Sequence, residues 1–314
     1  MKRPIAPAVA ASLLAITAAS CLPPEWGANA ILHPRRRPVT ATPDIPFEPI
    51  TFSNRSVTLK GWLFRTPVVR RALLVYLHGI ADNRQSAMGF AHRLVPRGCD
   101  VFAYDSRAHG DSTGDACTYG FYEKQDLARA LDALGAQRAV LFGTSLGAAV
   151  ALQAAASDRR VAGVVAIAPF ADLPSIVSER APWFATRREI EEALSIAGRR
   201  GRFSPEEVSP LRAASLVRVP VLLLHGERDS ETAPSHSQRI YAALAGPKEL
   251  ILVPGAHHND VPASEEVWRS IETWLLRLDS VFVAVRPPIG NDRSQARWRG
   301  PGAEPKRRYG WSCS

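Results

Sequence analysis

Short apolar runs recur through the middle of the chain, each bounded by glycine, proline or charged residues: 72–77, 101–104, 139–142, 161–167 and 219–224, with a weaker one at 249–253. Runs of this length without polar alternation are what strands buried on both faces require. Between them the apolar period changes to that of a helix. Leu127, Ala130, Leu131 and Leu134 share one helical face within 119–134, and Val267, Ile271, Trp274, Leu275 and Leu278 share another within 261–278. Further helices are expected from about Ser86, after Ser145 and over 235–244. Strand and helix in alternation predict an α/β domain: a mostly parallel central sheet with helices on both faces. Upstream, 47–64 alternates well enough for two antiparallel strands with Ser53-Asn54-Arg55-Ser56 as their turn. Residues 175–216 break the rhythm, and an insertion at this place predicts a small helical cap over the strand ends, with Trp183 and Phe184 packed inside it.

Both ends of the 314-residue chain depart from this pattern, which leaves one domain over 47–279. Met1-Lys2-Arg3 and the alanine-rich apolar run to Ser20 have the charged and apolar regions of an export signal, within a segment of residues 1–30. Two processing points fit it. Ala18-Ala19-Ser20-Cys21 resembles a bacterial lipobox, in which Cys21 becomes a lipidated N-terminus and a membrane anchor; Ala28-Asn29-Ala30 has the form of an ordinary cleavage site. Residues 31–46, rich in proline and arginine, predict an extended connector, and the Arg-, Gly- and Pro-rich 280–314 predicts a basic disordered tail.

The formal charge of +9 raises the question of nucleic acid. Its sources are Arg35-Arg36-Arg37, 199–202 and the C-terminal tail, without an aromatic-interleaved basic stripe, so solvated surface is the reading adopted and no nucleic-acid partner is expected. The four cysteines, at 21, 99, 117 and 313, contain no C-x-x-C pair, which argues against a structural zinc. Export would allow a Cys99–Cys117 disulfide; two separate buried thiols are the other reading.

The chemistry gathers where strands end. Gly143-Thr144-Ser145-Leu146-Gly147 lies between an apolar strand and an alanine-rich helix, the setting of a strained turn that lifts a serine Oγ above the sheet. Ser145 is thereby the candidate nucleophile, and Leu146 offers its N–H from a helix N-terminus to a developing oxyanion. The run ending in His78-Gly79-Ile80 stands where the second such donor is expected, the N–H of Ile80, while His78 itself is expected to be a packed residue holding the loop. Asp105, Arg107, His109 and Asp111 form a dense polar loop, read as an ordering network beneath the site and not as metal ligands. His225-Gly226-Glu227-Arg228-Asp229 and His257-His258-Asn259-Asp260 each follow a strand. A serine needs a base to become nucleophilic; an imidazole can take and return the proton, and a carboxylate fixes its tautomer.

From about 47 to 278 the chain resembles the α/β-hydrolase superfamily, in its serine aminopeptidase-, lysophospholipase- and depalmitoylase-like branch. The residues that carry the resemblance are His78-Gly79, 105–110, Gly143-Thr144-Ser145-Leu146-Gly147, His225-Gly226-Glu227-Arg228-Asp229 and His258-Asn259-Asp260. The resemblance implies an α/β-hydrolase fold with a small cap, and a Ser145–Asp229–His258 triad in the family's chain order. Matching on Asn259-Asp260 selects His258 over His257, which stands where the family has glycine. It further implies hydrolysis of acyl esters or thioesters through a covalent acyl-enzyme, with no cofactor and no metal. Ala233 departs from the proline often found after the acid. A peptidase or amidase on the same scaffold, and a non-catalytic binding module, are the competing functions.

Overall fold

The computed structural model describes residues 23–284, with side chains to Leu278. The strands are β1 (Glu48–Asn54), β2 (Val57–Phe64), β3 (Ala72–Leu77), β4 (Cys99–Tyr104), β5 (Ala139–Thr144), β6 (Val161–Ile167), β7 (Val221–Gly226) and β8 (Lys248–Val253). They form one eight-stranded sheet in the order β1-β2-β4-β3-β5-β6-β7-β8. β1 and β2 pair antiparallel, as do β2 and β4; all other neighbours are parallel.

The helices are α1 (Pro24–Leu32), α2 (Ala87–Leu94), α3 (Glu123–Ala133), α4 (Leu146–Ala155), α5 (Leu173–Arg180), α6 (Arg187–Gly201), α7 (Pro210–Ala214), α8 (Ser235–Ala243) and α9 (Glu265–Ala284). Because successive strand residues point to opposite faces, the apolar runs feed two cores. Leu141 and Val75 enter the core shared with α1, α3, α4 and the cap, whereas Phe142 and Tyr76 enter the one closed by α2 and α9. The cap comprises α5, α6 and α7, in the place the broken rhythm foretold. Among the described residues no helix is long and apolar enough to cross a membrane.

Two expectations need correction. The folded body begins before residue 47, because α1 docks on α6 and buries Ala28, Ile31 and Leu32. It is tied down by the Tyr119 hydroxyl on the Ile31 carbonyl (2.9 Å) and the Cys117 N–H on the Leu32 carbonyl (2.8 Å). The connector that follows is extended but held to the surface, with the Arg36 guanidinium on the Ser112 and Gly114 carbonyls, both at 2.8 Å. Secondly, Trp183 does not pack within the cap: it is 94% exposed and meets Phe184 edge-on. Of the two readings for Cys99 and Cys117, separate buried thiols hold: they lie in the cores on opposite faces of the sheet, so the sheet itself keeps the two sulfurs from bridging. Cys21, Cys313, the proposed signal up to residue 22 and the tail beyond 284 lie outside the described residues.

Candidate active site

Ser145 joins β5 to α4 with φ 49° and ψ −111°, a strained conformation for a residue with a side chain. The geometry is sustained by what surrounds it. The Ser145 N–H donates to the Ile167 carbonyl on β6 (2.8 Å), and the flanking glycines admit no substitute. A Cβ on Gly143 would strike the backbone of Gly147, and one on Gly147 would strike the Leu77 carbonyl of β3. Strand, turn and helix are thus pressed together so that Ser145 emerges at the sheet's C-terminal edge.

Asp229 and His258 approach from the loops after β7 and β8. His258 Nδ1 donates to Asp229 Oδ2 at 2.6 Å, which leaves Nε2 as the lone-pair nitrogen. The other carboxylate oxygen, Oδ1, accepts the N–H groups of Glu231 and Thr232, both at 2.9 Å. Burial opposes ionisation of Asp229, but the hydrogen bonds from His225, His258 and the Thr232 N–H outweigh it and hold the carboxyl well below its usual range. His257 is exposed, and its backbone N–H meets Asp260. His258, by contrast, is buried and borders the same cavity as Ser145.

Ser145 sits where two cavities meet. One, of about 330 Å³, is mostly apolar and runs beneath the cap between Phe170, Ile176 and Ile190. The other, of about 530 Å³, is more polar and contains His258, Asn259, Asp82 and Arg37. Ile80 borders both cavities, and Leu146 borders the apolar one. Arg180, on α5, also reaches both; its guanidinium donates to the Glu231 carbonyl (2.9 Å) and the Thr232 hydroxyl (3.1 Å), so it ties the cap to the Asp229 loop.

His78 is fully buried. Its Nε2 accepts the Ser106 N–H (2.9 Å) and its Nδ1 donates to the Gly79 carbonyl (2.7 Å), which fixes the loop carrying Ile80. The polar loop after β4 is an ordering network. Asp105 receives the N–H groups of Arg84 (2.7 Å) and Asp111 (2.8 Å) and the Arg84 guanidinium, while Arg107 makes a two-pronged pair with Asp126, each prong 2.7 Å. Among the described residues no three His, Cys, Asp or Glu side chains are grouped to hold a metal ion.

The family model described as alpha/beta hydrolase fold matches residues 72–212. The Mycobacterium tuberculosis protein Rv2307c, itself uncharacterised, is 30% identical over 209 residues, which cover 64% of this chain and 68% of that one. The chain belongs to the alpha/beta-hydrolase fold family. The uncharacterised Bacillus subtilis protein YqkD is 30% identical over 198 residues, covering 59% of this chain; the chain spans 64% of that relative's length. Among solved structures, the Pyrococcus furiosus esterase Pf2001 superposes with a TM-score of 0.63 at 23% identity, covering 78% of this chain and 98% of that one.

One residue in this hydrolase fold gains a place that the sequence did not assign. His225 Nε2 lies 2.8 Å from the Thr232 carbonyl and 3.1 Å from Asp229 Oδ2, so it is the protonated nitrogen; Nδ1 accepts from the Ser237 hydroxyl at 2.6 Å. Asp229 is therefore gripped by two histidines. The four-residue step from His225 to Asp229 was a visible signal, but only the turn's geometry shows that the side chains meet. Phe184 likewise borders the apolar cavity in place of packing only within the cap.

Proposed function

We propose that the protein is a serine hydrolase that cleaves carboxylic esters or thioesters through Ser145, His258 and Asp229. The observation that carries this reading is that one cavity is lined both by a strained Ser145 and by His258, an imidazole whose Nδ1 is engaged by Asp229 and whose Nε2 is left to act as the base. His258 Nε2 takes the Ser145 hydroxyl proton as Oγ attacks the acyl carbon. The oxyanion forms beside the N–H groups of Ile80 and Leu146. Collapse breaks the ester or thioester bond, and His258 returns the proton to the departing alcohol or thiol. Water then attacks the acyl-enzyme with His258 again as base, which releases the carboxylic acid and restores Ser145. Asp229 stays ionised throughout and stabilises the imidazolium.

The test is labelling by a fluorophosphonate probe read by intact mass. One adduct on Ser145, abolished in Ser145→Ala, is expected. A wild-type protein that takes no label and cleaves no ester overturns the reading in favour of a binding module. A peptidase is the outcome if amides are cleaved faster than esters of the same acyl group.

We further propose export with a lipid anchor on Cys21. Helix α1 starts just past that residue, so a cut before Cys21 leaves α1 whole, whereas a cut after Ala30 divides it. The mass of the mature protein decides: a diacylglyceryl-modified Cys21 is expected, and an N-terminus at Ile31 overturns the anchor.

A further inference from the structure

We infer that helix α1 is the chain-length gauge of the site: it walls the apolar cavity beside Ser145 and restricts the enzyme to acyl chains of medium length. This rests on the hydrolase reading above and adds to it the class of acyl group. The cavity is bordered by Ser145 and Leu146, by Ile190 and Ala193 of α6 in the cap, and by Pro24, Gly27, Ala30 and Ile31 of α1. Its walls are mostly apolar, with Arg180 and Glu189 also on the lining, and such a surface suits a hydrocarbon chain better than a polar acyl group.

The wall is fixed. A Cβ added to Gly27 would lie 2.9 Å from the Ala193 Cβ, so α1 and α6 touch closely at that glycine. Beyond the bonds from Tyr119 and Cys117, the Arg200 guanidinium donates to the Asn29 side chain at 2.9 Å. A cavity of about 150 Å³ holds one benzene ring, six carbons. At about 330 Å³ this one has roughly twice the capacity. That corresponds to an acyl chain of about eight to twelve carbons.

A series of nitrophenyl esters from acetate to palmitate tests the assignment on the full chain. Wild type is expected to show its highest kcat/KM between octanoate and dodecanoate, with palmitate at least tenfold lower. Ala30→Phe puts a ring into the wall from an exposed position and is expected to lower the decanoate-to-acetate ratio of kcat/KM by at least tenfold. Ile31→Ala removes three carbons from the same wall and is expected to shift the optimum toward longer chains. Thermal unfolding of each variant verifies that it is folded, and the second keeps the test open if the first is not. A wild-type optimum at acetate, or ratios unmoved in the folded variants while Ser145 still takes the fluorophosphonate label, overturns the gauge and leaves the hydrolase reading standing. Failure of wild type to label or to cleave any ester overturns the hydrolase reading itself.

Discussion

Two loops that begin with His-Gly at the end of a buried strand flank Ser145, and they treat charge in opposite ways. After β3, His78 bonds only backbone groups, and burial lowers its basicity. Its edge-on neighbour His109, with ring centroids 5.1 Å apart, is pushed down to about 4 by burial first and by the nearness of His78 second. After β7, the same dipeptide places His225 against Asp229, where hydrogen bonds overcome burial and keep a carboxylate ionised. The difference lies in what faces the ring. Burial with only backbone partners leaves the His78 imidazole neutral and makes it a strut; a buried carboxylate within reach makes His225 part of an electrostatic assembly. One neighbourhood holds the Ile80 loop still, and the other is where the proposed proton chemistry is centred.

The sharpest way to break this contrast is to remove the proposed proton carrier. His258→Ala is expected to lower kcat/KM by on the order of 10⁶, as loss of a triad base does elsewhere. His257→Ala, at an exposed site, is expected to change it by about twofold. If the two effects are exchanged in steady-state ester hydrolysis, the charge-bearing neighbourhood has been placed on the wrong histidine. Asp229→Asn comes next, with an expected fall of roughly 10⁴. The amide keeps the shape of the carboxylate but removes its charge and presents a donor, so His258 loses the partner that fixes Nδ1–H. Retention of wild-type kcat would show that the ionised carboxylate is dispensable.

Much of this assembly was legible in the sequence because its parts are local. The apolar runs marked β3 to β7, since a strand covered on both faces tolerates few polar residues. Ser145 was legible because the elbow needs its glycines within two residues on either side. What stayed hidden depends on distant chain segments meeting. Residues 24–30 read as part of a signal, and 31–32 as the start of the connector, because an apolar, alanine-containing stretch serves export and packing equally well; only the docking of α1 on α6 reveals the helix. The separation of Cys99 and Cys117 follows from the face of the sheet against which each is buried, Cys99 from β4 and Cys117 from the loop before α3, and a spacing in sequence says nothing of that. The exposure of Trp183 has the same origin, because composition alone did not reveal which way the loop before α6 turns.

The neutral neighbourhood has its own signature, smaller and in stability. The folded-state pKa of His109 is about 4, below the unfolded value of about 6.5. Between these values the unfolded chain binds more protons than the folded one, so stability falls as pH drops below 6.5 and the loss is complete near 4. On this residue's account the protein is expected to be about 2 kcal/mol less stable at pH 5 than at pH 7. Urea unfolding of wild type and His109→Gln at both values checks it. The variant's stability should change less between them, and equal slopes would mean that His109 is not held neutral.

A smaller effect than the triad substitutions bears most directly on the contrast, because it asks whether His225 resembles its counterpart His78 after all. If it is only a strut, His225→Phe lowers the folded fraction and leaves the pH–rate profile of the remaining enzyme in place. If it grips Asp229 as the 3.1 Å contact indicates, the variant strips one donor from the carboxylate. One hydrogen bond to a charged group is worth about 1.5 kcal/mol, or about tenfold in kcat/KM. The carboxylate that has lost this donor turns more of its charge toward the His258 imidazolium, so the acid limb of the profile moves to higher pH. His225→Gln can place an amide N–H near both Thr232 and Asp229 and is expected to restore the limb and part of the rate. Thermal unfolding of both variants separates lost protein from lost function. A tenfold loss with an unmoved limb in a folded His225→Phe would make the two His-Gly loops alike, each a strut, and would leave His258 as the one histidine that acts through Asp229.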